Sequence, residues 1–207
     1  AVGVQDLDGN GIDDGRNSDR PMLQGRVGLK VPSWVKEKKI EVGVSGHVAE
    51  EETTGQFGPG LDDEFDSNSI CLDAIIPIWK GILREDDTVE VRGEWFTGKN
   101  LNDLRGGIGQ GVNATLGEEI DAQGGWVQGA YKFNKVWDCA GGYGADDPDD
   151  DQVGLTGRHK NTVWYITNNF HLSKNYLLSL RYLNMSTDYQ DTSADNDRIM
   201  VMFQWNF

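Results

Sequence analysis

What this 207-residue chain lacks already excludes several classes. No apolar run approaches the ~18 residues that a membrane-crossing helix requires, so a helical membrane span is not expected. Proline is scarce at 5, against 27 glycines, a balance that suits strands and turns better than helices. There are only two cysteines, Cys71 and Cys139. The strand register below puts them on opposite faces of non-adjacent strands, so no disulfide is expected. There is no C-x-x-C pair, so redox and c-type haem chemistry lack their motif. Basic residues are few, 19 against 34 acidic ones, for a formal charge of −15, which argues against a nucleic-acid partner. No G-x-S-x-G occurs either. No leader segment is recognisable, so the chain reads as mature or as a fragment.

A hydrophobic fraction of 37% and a mean hydropathy of −0.55 look soluble. A strand that crosses a bilayer spends only alternate residues on lipid, however, so such composition does not exclude a membrane barrel.

What the chain does have is alternation. Its last ten residues, RIMVMFQWNF, place Ile199, Val201, Phe203, Trp205 and Phe207 on one face. Arg198, Met200, Met202, Gln204 and Asn206 take the other, a period of two. The same pattern predicts strands over 22–31, 40–49, 69–79, 89–97, 124–133, 136–144, 162–172 and 176–186. Each has an apolar face opposite a polar one. The connections alternate between short turns and long segments, with long ones predicted over 1–21, 51–67, 98–121, 146–161 and 187–196. Those long segments together are more acidic than the whole chain, leaving the strands and short turns slightly basic. Phe133, Trp137, Phe170, Tyr176 and Phe207 would gather at the short-turn end of the apolar face, as an aromatic girdle does at a membrane boundary. The expected fold class is therefore all-β: an antiparallel transmembrane β-barrel, with about nine strands in this chain over 22–207. An odd strand count does not suit a single-chain bacterial barrel, which implies that these strands are the C-terminal part of a larger one.

The first segment, 1–21, carries DLDGNGIDD. Asp6, Asp8 and Asn10 are spaced by two, Gly11 permits a sharp turn and the Ile12 carbonyl follows, as in a calcium loop. Asp13 or Asp14 would add a further carboxylate. The acid usual at the twelfth position is replaced by Asn17, a departure from the pattern; on the spacing of the other ligands, calcium is expected as a structural ion in an external loop.

The segments FTGKNLNDLRGGIGQGVN, GGWVQGAY and GYGADDPDDD, with the closing aromatic strand, resemble a family of porins of Gram-negative outer membranes. The plan is similar to that of the DcaP-like trimeric porins. The resemblance covers most of 22–207 and is most specific at Gly106 to Gly111 and Gly142 to Pro148. It implies a barrel of about sixteen strands, a homotrimer, contact with outer-membrane lipid and lipopolysaccharide, and passage of small solutes.

The polar face would line the pore: Arg26, Lys30, Arg92, Lys132, Arg181 and Arg198 supply positive charge, and Glu41, Asp73, Glu90 and Glu94 negative charge. Rows of opposite charge would create a transverse field; mutually paired neighbours would not. The glycine-rich segment within 98–121 is long enough to fold into the mouth, where Asn100, Asp103, Arg105 and Gln110 would form a constriction. Two other functions compete. One is a secreted calcium-dependent β-sandwich binding module. The other is a barrel hydrolase using His159 near Asp151, or His47 near the outer end of the second strand, although solvated histidines explain both more simply.

Overall fold

A computed structural model describes residues 21–52, 64–84, 87–104, 106–113 and 115–205. The motif at 6–14, Arg105, the Asp103 side chain and Phe207 lie outside that description. The strands are β1 (Leu23–Pro32), β2 (Lys39–Glu52), β3 (Glu64–Lys80), β4 (Thr88–Lys99), β5 (Val112–Asn113), β6 (Glu118–Glu119), β7 (Asp121–Lys132), β8 (Trp137–Pro148), β9 (Arg158–His171), β10 (Tyr176–Tyr189) and β11 (Ser193–Trp205). Apart from two short 3-10 turns, the described residues contain no helix.

Nine of these strands form one antiparallel sheet, in the order β1-β2-β3-β4-β7-β8-β9-β10-β11, while β5 and β6 pair with each other in a small separate ladder. Each strand of the large sheet thus hydrogen-bonds to its neighbours in sequence. β1 and β11 are its two edges and do not pair with each other, so the described residues form an open sheet rather than a closed barrel.

The register carries the expected alternation across all nine strands. One row reads Lys30, Glu41, Ile75, Arg92, Gln128, Gly142, Tyr165, Leu183, Arg198. The adjoining row, one residue away and on the opposite face, begins Leu29, Val42, Ala74, Gly93, Val127, Tyr143, Trp164. A slip of one residue in any strand would exchange the two faces.

The apolar face of the sheet is exposed. Leu23, Val27, Leu29, Val44, Ile70, Leu72, Trp95, Val127, Trp164, Ile166, Ile199, Val201, Phe203 and Trp205 are all exposed on the apolar face. Buried positions are instead mostly on or above the polar face, including His47, Ser67, Asn100, Leu101, Thr167 and Ser179.

Aromatics collect at the short-turn end as expected. Phe133 stacks on Trp137 with centroids 3.8 Å apart, Trp137 lies 6.5 Å from Phe170, and Tyr176 lies 6.0 Å from Trp205.

Side chains staple the short turns. The Asp87 carboxylate accepts the amides of Gly81, Ile82, Leu83 and Arg84 at 2.7–3.1 Å and the Tyr131 hydroxyl at 2.6 Å. Gly81, at φ +82°, supplies the left-handed residue that lets four successive amides converge. In the next turn the Asn134 side-chain oxygen accepts the amides of Val136 and Trp137.

Several boundaries differ from the sequence reading. The predicted loop 187–196 is instead the tight end of the β10–β11 hairpin, with Asp188 paired to Ser193. Likewise, β3 begins at Glu64 and β8 runs on to Pro148. Strand ends that are polar on both faces lose the period-two signal and read as loop. In β3 a bulge between Pro77 and Trp79 shifts the phase, so Trp79, not Ile78, pairs with Val89 and continues the apolar series.

Candidate functional site

All ten residues expected to line a pore fall on the polar face of the sheet, distributed over β1–β4, β7, β10 and β11. Many pair with near neighbours. Arg26 reaches over β2 to Asp73, donating from Nε at 3.0 Å and Nη2 at 2.6 Å. Gly43 lies beneath that bridge, where even a methyl group would overlap the guanidinium and the carboxylate. Lys30 pairs with Glu41 at 2.7 Å, and Arg92 with Glu90 at 3.4 Å.

Four residues are not used in this way; one, Lys132 on β7, forms no ion pair among the described residues. Glu94 faces Asp73 directly across β3 and β4, and among the described residues it forms no ion pair. At the far side of the sheet, Arg181 donates to the Thr167 hydroxyl at 2.8 Å and stands 4.9 Å from the Tyr165 ring centre. Arg198 donates to the Asn196 side-chain oxygen on its own strand.

The segment between β4 and β7 folds back onto this polar face. Asn100, Leu101, Asn102 and Ile120 are buried in it, as is Asn113. Asn100 takes a positive φ of 50°, turning the chain inward at the end of β4. Its side-chain amide donates to Glu51 at 3.0 Å, and its carbonyl accepts from Ser67 at 2.7 Å.

Further along, the Asp146 carboxylate accepts the amides of Gly107 at 3.1 Å and Ile108 at 2.8 Å. Gly107 and Ile108 both have positive φ, which points their two amides the same way, at one acceptor. Gln110 exchanges two 2.8 Å bonds with the backbone of Arg158, and Asn113 donates to the Gln152 carbonyl at 2.7 Å. Of the expected constriction residues, then, Asn100 and Gln110 are anchors of the segment; Asp103's side chain and Arg105 lie outside the described residues.

His47 is not solvated, as the sequence suggested, but buried. One ring nitrogen, Nε2, is 2.9 Å from the Ser67 hydroxyl and the other, Nδ1, is 2.6 Å from that of Ser69. Ser67 spends its proton on the Asn100 carbonyl, so Nε2 donates to Ser67, and in the neutral ring Nδ1 accepts from Ser69. The ring thereby ties β2 and β3 to the point where the inward segment leaves the sheet. The other histidine weighed for catalysis, His159, pairs with Asp150 at 2.7 Å rather than with Asp151.

Between the inward segment and β1–β4 lies a cavity of about 460 Å³. Arg26, Ser45, His47, Ser69, Cys71 and Glu94 line its sheet side, and Phe96, Leu101 and Leu104 its apolar side. Phe96 fits there because Gly106 and Gly124 carry no side chain to meet its ring.

The acidic stretch at and beyond the end of β8 is used locally. Asp147 pairs with Lys160 at 2.9 Å, Asp149 accepts the Asp151 amide, and Asp150 holds His159. Among the described residues no trio of His, Cys, Asp or Glu is placed to hold a metal ion. Both cysteines are free thiols, Cys71 on the polar face and Cys139 on the apolar one.

Sequence reading missed Asp87 and Asp146 as anchors, because each acts on backbone amides that only a turn brings together. For Ser67 there was no signal, since it lay in a predicted loop.

The fold and site thus define an antiparallel nine-stranded sheet with an uncovered apolar face and a charged face carrying an infolded segment. Comparison with known proteins gives no matching protein family, curated protein or solved structure.

Proposed function

We propose that this chain forms part of the wall of an outer-membrane β-barrel of porin type, through which small hydrophilic solutes and ions diffuse. The observation that carries the reading is the exposed apolar face of the sheet. An antiparallel sheet in water buries its apolar face. Here that face is exposed from β1 to β11 and bordered at one end by stacked aromatics, as a lipid-facing surface would be. The opposite face is charged and carries its own infolded segment, as a pore lining would. A secreted sandwich would require a second sheet over the apolar face, and the only other ladder among the described residues is the two-residue pair β5–β6.

An open edge is not tolerated in a bilayer, so β1 and β11 must each gain a partner strand. In a nine-strand meander the first and last strands run in the same direction. Closing the barrel with antiparallel pairs throughout therefore takes an odd number of further strands and yields an even total. The resemblance to trimeric porins of about sixteen strands fits that arithmetic. In this arrangement the long acidic segments face outward, the short turns and the C-terminus face the periplasm, and lipid and lipopolysaccharide surround a homotrimer. A calcium ion held by Asp6, Asp8, Asn10, the Ile12 carbonyl and Asp13 or Asp14 would stiffen an external loop.

Insertion of the purified protein into a planar bilayer tests the function. Stepwise ion conductance is expected, with altered ion selectivity after Arg92 and Arg181 are replaced by Ala. Absence of conductance at every protein concentration and voltage would overturn the pore reading.

A further inference from the structure

We infer that the cavity beneath the infolded segment is a binding subsite for organic monocations: an ammonium or guanidinium head with a short apolar body. The inference rests on the polar face lining a water-filled lumen, and it specifies which solutes that lumen would retain.

Among the described residues the charges lining the cavity are unequally partnered. Arg26 lines it, but its Nε and Nη2 are both committed to Asp73. Glu94, directly across the ladder from Asp73, has no ion-pair partner among the described residues. Among the described residues the lining thus carries one guanidinium, neutralised by Asp73 from outside the lining, and one carboxylate, Glu94, with no ion-pair partner. Arg92, the next cation on the same face of β4, is paired with Glu90. An anionic solute would meet a guanidinium already paired with Asp73 and the Glu94 carboxylate, which repels it. A cation would give Glu94, which otherwise meets only the Cys71 thiol among the described residues, an ion-pair partner, and a charge-assisted hydrogen bond in a partly enclosed site is among the stronger polar contacts available.

The rest of the lining suits the same ligand. Ser45, paired with Arg26 across the ladder, adds a hydroxyl group beside the charged end. Phe96, Leu101 and Leu104 make an apolar wall for a carbon chain, and the Phe96 ring adds a face that attracts cations. The cavity's size, about 460 Å³, lies within the range of small-molecule sites. The acidic outer segments would raise the local concentration of cations at the mouth.

The test uses the whole protein in detergent, titrated calorimetrically with hexylammonium chloride and, in parallel, with sodium hexanoate. Hexylammonium is expected to bind and hexanoate is not. Glu94→Gln keeps the shape and removes the charge, and is expected to weaken hexylammonium binding about tenfold or more. Unchanged binding in E94Q, hexanoate binding as tightly as hexylammonium, or no hexylammonium binding to the wild type would each overturn the inference. The titration needs no membrane and no current. Glu94-dependent binding by a protein that fails to conduct would defeat the pore reading alone, and a conducting protein with charge-indifferent binding would defeat this site alone.

Discussion

Val201 and Met202 are neighbours on β11, 65% and 49% exposed, and they point to opposite faces of the sheet. Val201 pairs with Leu180 on the apolar face, and Met202 with Ser179 on the polar one. Replacing each in turn by Arg places the same charge on the same strand with nearly the same backbone surroundings. If both faces met water, both variants would be mild, because surface substitutions usually fall within about 0.5 kcal/mol. If the apolar face meets lipid, Val201 sits near the middle of a band running from Ile199 to Trp205. An arginine there costs about 2–4 kcal/mol in a barrel at the bilayer midplane. By the usual conversion that is a loss of roughly thirty- to several hundred-fold in the folding equilibrium. Met202→Arg, facing the lumen, should stay close to wild type. Guanidinium titration of the protein folded into phospholipid vesicles, followed by tryptophan fluorescence, reads the difference. Equal destabilisation by the two arginines, or a larger effect at Met202, would refute the assignment of faces.

Three further expectations follow from the anchors. Asp146→Asn should loosen the infolded segment while leaving the sheet intact, since it weakens two charge-assisted bonds of roughly 1.5–3 kcal/mol each; faster amide exchange at Gly107 and Ile108 would show it, and unchanged exchange would deny Asp146 that role. Burial opposes ionisation of Asp87, but the Tyr131 hydroxyl and the amides of Leu83, Ile82 and Arg84 outweigh it and hold the carboxyl well below the usual carboxylate range. Because its folded pKa is depressed, its contribution to the turn is complete above the ordinary carboxylate pKa and is lost as pH falls towards the folded value, so exchange at Ile82 and Leu83 should stay slow through mild acid in wild type but be fast at neutral pH in Asp87→Asn. Calcium should bind at residues 6–14 and protect the chain from protease near Arg16 without altering the sheet; no heat and no protection at millimolar calcium would reduce that motif to a solvated turn.

The existence, order and facing of the nine long strands were legible because alternation survives wherever one face is apolar and the other charged. Val42, Val44 and Val48 against Glu41, Ser45 and His47 leave one register possible. Legibility failed where that contrast fades. Residues 187–196 are polar on both faces, so the β10–β11 hairpin looked like a loop. At Ile78 the pattern continues in the sequence while the bulge has already shifted the backbone.

The polar-face placement of the ten charged residues was readable because each position follows from strand phase alone. The anchors were not. Asp146 gathers amides from a segment nearly forty positions away, and His47 is buried only because Ser67 and Ser69 return beside it on β3. Nor could the sequence show that Arg26 reaches Asp73 across the gap left by Gly43, a contact two strands wide.

The central claim is that the apolar face meets lipid and the polar face meets water, and tryptophan already stands on both. Trp164 is exposed on the apolar face and Trp126 on the polar one. Two variants, each retaining only one of these tryptophans, folded into vesicles containing lipids brominated along their acyl chains, test it most directly. The account predicts strong quenching of Trp164 by the brominated chains with little effect of aqueous iodide, and the reverse for Trp126. Iodide quenching both residues alike, with no response to brominated lipid, would contradict it.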